Sequence, residues 1–518
     1  TGASGQGKTT LLAAIAGLVM FAAFPPLDIG SLAWVALPLL FFAFAKCSTG
    51  RWGMLTGAVF GVLFYGPLLF YLSAFGLTPW LLVVLLETAF ITALGYLAVQ
   101  LNAVERPLAR SAGLAALWVL FEYLRAHRGA VSFTLGDVYL SQWSQPALLQ
   151  LAGVGGSHLI TFVMVLLSAA LATVAGAWLP VAPVREVELE TLFRRKAART
   201  LLGCYVIFFA CFFWGNWIYR TGSKLVASLP EHTGFSVAYV QAAVPLGHTA
   251  SQEETRAAAE AYLRLSETIP TGNDLVVWPE TAIPAFLELN EEYRTRVAEV
   301  ARKKTSYLLA GGTEPAPGGK IYNTQFLFDP HGRIVDRYRK VHLVLFGEYV
   351  PWRKQLRFLE RFPIRPFDYA PGEGYKVMQA GGMKFGPLIC FESFFPQYTR
   401  KLCKLGAEFL VITTSDHWAR GTYEVAQHSR VEIFRAVEAR RFVVRVATEG
   451  ESMVITPFGS PQGVLEIGEQ GVQCELVYPL HFLSTYHRWG DAPLLVLCCI
   501  LWLVAFAPSQ AGRGRESA

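Results

Sequence analysis

Residues 383–393 read MKFGPLICFES. FGPLI is a short apolar run of the kind that forms a strand buried on both faces. It ends on Cys390, with Glu392 two residues on. In α/β sheets, sites lie at the carboxyl ends of strands, so this run raises the question of what its neighbours carry.

The same texture extends both ways. GFSVAYVQAAV (from 234), DLVVWPE (from 274), SYLLAGGTE (from 306) and EFLVITTSDHW (from 408) read as strands, as do FVVRVAT, ESMVITPFG and VQCELVYP. IYNTQFLFDPHGRIVDRYRK reads as a hairpin turning on Asp329-Pro-His-Gly. Helices are expected over 251–269, where Ser251 and Glu254 make a capping box, and over 290–304, 395–405 and 422–441. Alternating strands and helices, with strands apolar on both faces, indicate an α/β domain with buried sheets at 235–480.

Ahead of this domain the composition changes. The 518-residue chain is 53% hydrophobic and 16% charged, against about 25% charged in soluble domains. Apolar runs lie near 10–24, 31–45, 52–75, 80–101, 111–124, 158–178, 200–217 and 492–508. They imply a polytopic α-helical membrane bundle of about eight spans, seven of them within 10–217 and the last at 492–508. The expected remainder is a flexible tail at 1–9, linkers at 218–234 and 481–491, and a cytoplasmic tail at 509–518. Basic residues fix the orientation. One set of connections holds Lys8, Lys46, Arg51, Arg106, Arg110, Arg185, Arg194, Arg195, Lys196, Arg199, Arg513 and Arg515, and the other only Arg125 and Arg128. Both termini are therefore expected in the cytoplasm and residues 220–490 outside it. Arg125 and Arg128 are expected near lipid headgroups. Glu87, alone in its apolar run, is expected to face other helices.

Several function classes are disfavoured. Net charge is +6 without a long basic run, so no nucleic-acid partner is expected. None of the eight cysteines forms a C-x-x-C pair, and neither metal nor cofactor is expected. TGASGQGKTT at 1–10 fits the phosphate-cradling pattern G-x-x-x-x-G-K-[ST], but it leads into LLAAIAGLVMFAAF, which is hydrocarbon. No nucleotide is expected to bind there.

Three strand ends carry ionisable groups: Glu280 after VVWP, Lys340 after RIVDRYR, and Cys390. Together they suit acyl transfer by covalent catalysis. A thiol needs a base, which a carboxylate supplies, and a fixed cation stabilises the oxyanion formed when an acyl group moves onto sulfur.

Their contexts are WPET, YRKVHLVLFGEYVP and CFES. On these, residues 235–480 resemble the nitrilase superfamily, the carbon–nitrogen hydrolases with a Glu-Lys-Cys triad. With the multispan region the chain is similar to one branch, the apolipoprotein N-acyltransferases. The resemblance implies an αββα sandwich on the periplasmic side of the bacterial inner membrane. It implies transfer of an acyl chain from a phospholipid, through a thioester on Cys390, to the α-amine of a diacylglyceryl-cysteine apolipoprotein. By the same resemblance Glu280 is the base, Lys340 the oxyanion partner, and Glu348, Phe391, Glu392 and Trp418 supporting residues. The sequence departs from the family at Phe391 (usually Tyr) and Leu345 (Pro), in TEG at 448–450 (NNG-like), and in lacking a Trp after VQAAVP. The competing readings are a membrane-tethered amide hydrolase, releasing acyl groups to water, and an inactive paralogue.

Overall fold

The computed structural model describes residues 3–178, 187–244, 251–345, 347–350, 353 and 368–506. The expected tail at 509–518 lies outside them. Each of the eight apolar runs coincides with a helix: α1 (Ala3–Ala22), α2 (Ala33–Lys46), α3 (Gly50–Leu68), α4 (Leu77–Gln100), α5 (Pro107–Ala126), α8 (Ser157–Trp178), α9 (Val187–Ala227) and α15 (Ala492–Phe506). Two single turns, α6 (Pro146–Leu149) and α7 (Ala152–Gly155), precede α8. Among the described residues four segments are long and apolar enough to cross a membrane, at Gly5–Ala22, Leu77–Ala103, Ser157–Trp178 and Glu190–Ala227, while α2 and α15 are shorter. Helices α3 and α4 pack closely because Gly53, Gly57 and Gly61 present bare backbone to Gly95, Ile91 and Thr88.

Four expectations for this region change. The segment 1–9 is helical from Ala3, so Gly7, Lys8 and Thr9 lie inside α1, and Thr9 donates to the Gln6 carbonyl at 2.7 Å. The described part of the phosphate-loop pattern is thus regular helix. Residues 218–227 are not linker but the continuation of α9, and 481–491 holds a short helix, α14 (Thr485–Trp489). Arg125 is not at a headgroup surface. Helix α5 runs on to Ala126 and turns Arg125 into the bundle, where it is 2% exposed and 2.6 Å from Glu87 Oε2. Glu87 faces its neighbours in the bundle as expected, and Arg128 also reaches its Oε1 at 2.5 Å.

The second region is two six-stranded sheets packed face to face. One orders β12 (Gly471–Val477), β1 (Phe235–Gln241), β2 (Leu275–Val277), β3 (Tyr307–Ala316), β4 (Lys320–Phe328) and β5 (Ile334–Arg339). The other orders β11 (Pro461–Leu465), β10 (Ser452–Ile455), β9 (Val443–Ala447), β8 (Phe409–Thr414), β7 (Met383–Ile389) and β6 (Met378–Ala380). Because side chains alternate along a strand, Val237, Tyr239, Leu309, Phe385, Ile389 and Val411 fill the space between the sheets. Their neighbours Ala238, Val240, Leu308 and Ala310 face α10 (Gln252–Glu267) and α11 (Glu291–Lys304). Ser251 caps α10 with the expected reciprocal bonds to Glu254. On the other side α12 (Pro396–Lys404) and α13 (Glu424–Ala439) cover β7–β9, completing the αββα layering.

That outer layer is also the seam with the bundle. One apolar cluster runs from Leu148 and Met164 to Ile433, Val437 and Leu410 without a break. Polar contacts fix its register. Arg440 Nη1 donates to Gln150 Oε1 at 2.7 Å, and the Ser157 hydroxyl donates to Glu438 Oε1 at 2.5 Å.

Candidate active site

Strand β7 delivers Cys390 directly after Ile389, where a short 3-10 turn begins. Cys390 has φ +53°, a left-handed conformation rare for a residue with a Cβ. Such outliers concentrate where the surrounding structure forces a side chain into a working position. Thr281, just after Glu280, is a second, at φ +46°. The turn that carries Glu280 also lies hard against β3 at Gly311, where any Cβ would meet the backbone of 279–281.

Two of the three expected residues meet, and both act electrostatically on the third, Cys390. Lys340 Nζ lies 3.3 Å from Glu280 Oε1 and 2.8 Å from Glu348 Oε1, and all three side chains are buried. Glu280 accepts two further bonds, from Asn323 Nδ2 at 2.6 Å and from the Ser415 amide at 2.7 Å. Glu348 Oε2 accepts from the Val344 amide at 2.8 Å. Burial alone would lower the pKa of Lys340, but the charges of Glu280 and Glu348 outweigh it and hold the ammonium well above its usual value. Cys390 is 6% exposed. Burial pushes its thiol well up, Glu280 adds to the rise, and Lys340 opposes it. The resting sulfur is thus a thiol, and a base must take its proton when it reacts.

Glu392 is fully buried and held by the backbone. Its Oε1 accepts from the Val341 and His342 amides at 2.7 and 3.0 Å, and its Oε2 from the Ile389 amide at 2.8 Å. The Tyr338 hydroxyl donates to the same carboxylate, 3.0 and 2.9 Å from its two oxygens. One carboxylate thereby ties the chain on either side of Lys340 to the residue before Cys390. Burial pushes its pKa up to about 7, against the pull of the three amides.

Phe391 lies in an aromatic group, its ring 5.8 Å from His342 and 5.2 Å from Phe395. His342 is held near pKa 4 by burial and by Lys340, so its ring is neutral at pH 7. The backbone of Trp418 lies in the turn His417–Ala419 that follows β8. Leu345 sits in the loop between Lys340 and Glu348, paired as a single bridge with Tyr349. A cavity of about 630 Å³ opens beside this loop. Ala126 and His127 at the end of α5 bound one side, and His342, Tyr349, Phe395 and Tyr398 the other.

Sequence reasoning missed Asn323, Tyr338 and Ser415. Their signal was positional only: Asn323 and Tyr338 sit on the two strands of the hairpin that ends in Lys340, and Ser415 follows the last residue of β8.

Comparison with known proteins agrees with this layout. Residues 236–474 match the carbon-nitrogen hydrolase family, and residues 16–170 match the apolipoprotein N-acyltransferase N-terminal domain. The apolipoprotein N-acyltransferase of Azotobacter vinelandii is 30% identical over 513 residues, covering 95% of this chain and 93% of its own length. This chain belongs to the apolipoprotein N-acyltransferase family. The member from Geobacter metallireducens is 28% identical over 498 residues, covering 93% of this chain and 91% of its own. Among solved structures, an amidase from Nesterenkonia sp. is similar at 24% identity, covering 52% of this chain and 97% of its own, with a TM-score of 0.35. In this family member the hydrolase-type sandwich and the N-terminal bundle meet along one continuous apolar seam, with the cavity at their junction.

Proposed function

We propose that this protein transfers an acyl chain from a phospholipid to the α-amine of the diacylglyceryl cysteine of apolipoproteins, through a thioester on Cys390. The observation that carries the reading is the meeting of Glu280 and Lys340 beside a strained, buried Cys390, next to a cavity walled partly by the bundle. In the first half-reaction Glu280 takes the thiol proton while sulfur attacks the ester carbonyl carbon. Lys340 stabilises the oxyanion, and its collapse expels the lysophospholipid alkoxide, which takes the proton back from Glu280. In the second, the amine attacks the thioester, Glu280 takes a proton from its nitrogen, and the departing thiolate recovers it. Amide and free thiol result. Aromatic and apolar groups around Phe391 suit a site that must keep water from the thioester.

The eight helices, with the charge bias of their connections, support about eight spans in the bacterial inner membrane. On that topology the sandwich faces the periplasm and both termini the cytoplasm. The decisive experiment is mass spectrometry of the purified protein after incubation with phospholipid. An acyl adduct on Cys390, discharged by a diacylglyceryl-cysteine peptide with formation of an N-acyl peptide, is expected. Discharge by water at the same rate as by the peptide would make it a hydrolase instead.

A further inference from the structure

Within the bundle, one buried constellation holds two ligand atoms that make no hydrogen bond. Glu122 lies on α5, Asp137 in the loop after it, and His158 in the first turn of α8. Asp137 Oδ2 and His158 Nε2 are 3.9 Å apart, on side chains 0% and 7% exposed, and neither atom has a hydrogen-bond partner. The gap is too long for a hydrogen bond. Two ligand atoms on one tetrahedral zinc, each bonded at roughly 2.0–2.1 Å, lie about 3.3 Å apart, so a shift of about half an ångström would close the gap onto an ion. A carboxylate oxygen of Glu122 completes the group, all three ligand atoms lying within 4.8 Å of one another.

We propose that Glu122, Asp137 and His158 bind a divalent cation of the zinc type that fastens α5 and the 134–142 loop to α8. One imidazole and two carboxylates form a donor set suited to such ions. The outer contacts are those of a built site. Arg125 Nη1 holds Asp137 Oδ1 at 2.9 Å, and the Thr161 hydroxyl donates to Glu122 Oε2 at 2.8 Å. Trp118 Nε1 and the Val138 amide bond Glu122 Oε1 at 2.9 and 2.8 Å. These partners orient both carboxylates and leave Asp137 Oδ2 and His158 Nε2 facing the gap. Charge points the same way. Among the described residues Glu87 and Asp137 are paired with Arg125 and Arg128 while Glu122 makes no salt bridge, so a cation offsets its charge. Because α5 ends in the wall of the junction cavity, the ion would hold that wall in place.

The test uses the full chain in detergent, carrying an affinity tag without histidines and never exposed to chelator. Elemental analysis is expected to find about one divalent transition ion per chain, lost in His158→Leu and in Asp137→Asn. Metal-stripped wild type titrated with Co²⁺ is expected to develop visible d–d absorption that the variants lack. This second readout decides the matter even where a variant folds poorly. Wild type without stoichiometric metal and without a cobalt spectrum would mean that a buried water bridges the two atoms, and would overturn the site. Metal retained in His158→Leu would overturn it equally.

Discussion

Lys340 lies closer to Glu348 than to Glu280, at 2.8 Å against 3.3 Å. On the proposed mechanism Glu348 aims the cation. It holds Lys340 with one oxygen and the backbone of its own loop, at Val344, with the other.

Glu348→Gln keeps the shape but removes the charge and sets an amide N–H against the Val344 donor. A hydrogen bond to a charged group contributes about 1.5–3 kcal/mol. Acylation of Cys390 should therefore slow by about 10- to 100-fold. Single-turnover labelling with phospholipid measures it. An unchanged rate would mean that Lys340 needs no second carboxylate.

Glu392 predicts opposite pH effects on activity and stability. Its pKa of about 7 in the folded protein lies above the ordinary carboxyl value of 4.5. The folded state therefore holds this proton more tightly than the unfolded one. The stability it contributes is complete below 4.5, declines as pH rises, and is lost above about 7, a span of about 3 kcal/mol. Activity needs the ionised form, because every partner of the carboxylate is a donor. Acyl transfer should fall as pH drops through about 7. Tyr338→Phe removes one donor to the anion and should move that acid limb to higher pH. A limb that stays in place in Tyr338→Phe would assign it to another group.

Glu87 holds two arginines in the bundle. Glu87→Leu leaves both short of a carboxylate, and breaking a buried pair costs about 3–5 kcal/mol. The thermal midpoint in detergent should fall, with little change in the activity of the protein that remains folded. A large loss of activity at unchanged midpoint would instead give Glu87 a functional role.

Much of the sandwich was legible because its signals are local. FGPLI, VVWP and FLVITT are runs only a buried strand explains, and Ser251 and Asn290 cap the helices expected to follow them. The strands β6 and β11 escaped notice. They pair at sheet edges and lack a long apolar run, MQA and PQGVL being mostly polar or small. In the site, Glu280, Lys340 and Cys390 stood out as ionisable groups at strand ends. Asn323 and Tyr338 did not, since a polar residue inside a strand reads as surface until the opposing loop is folded over it. Arg125, expected at the headgroups, misled for a related reason. Its partner Glu87 lies 38 residues away, and Arg125 itself sits on a helix whose end a hydropathy window cuts at Leu124.

The last prediction separates Glu280, Lys340 and Cys390 by what each does to the adduct. Cys390→Ala removes the atom that holds the acyl chain, so no adduct should form with any phospholipid. Cys390→Ser keeps an oxygen in the same strained turn but a far weaker acid, so transfer should nearly vanish. Glu280→Gln should slow both acylation and discharge, since one carboxylate serves both proton transfers. Lys340→Met removes the oxyanion partner, and losing such a donor costs roughly 3–4 kcal/mol, or about 100- to 1,000-fold. Two cysteines on the sandwich serve as controls. Cys403 is a buried residue of α12 and Cys474 is exposed on β12, so changing either to Ala should leave the adduct intact. Mass spectrometry of each variant after phospholipid, then after acceptor peptide, resolves the two half-reactions. Near wild-type transfer by Cys390→Ala would overturn the covalent route and the site with it.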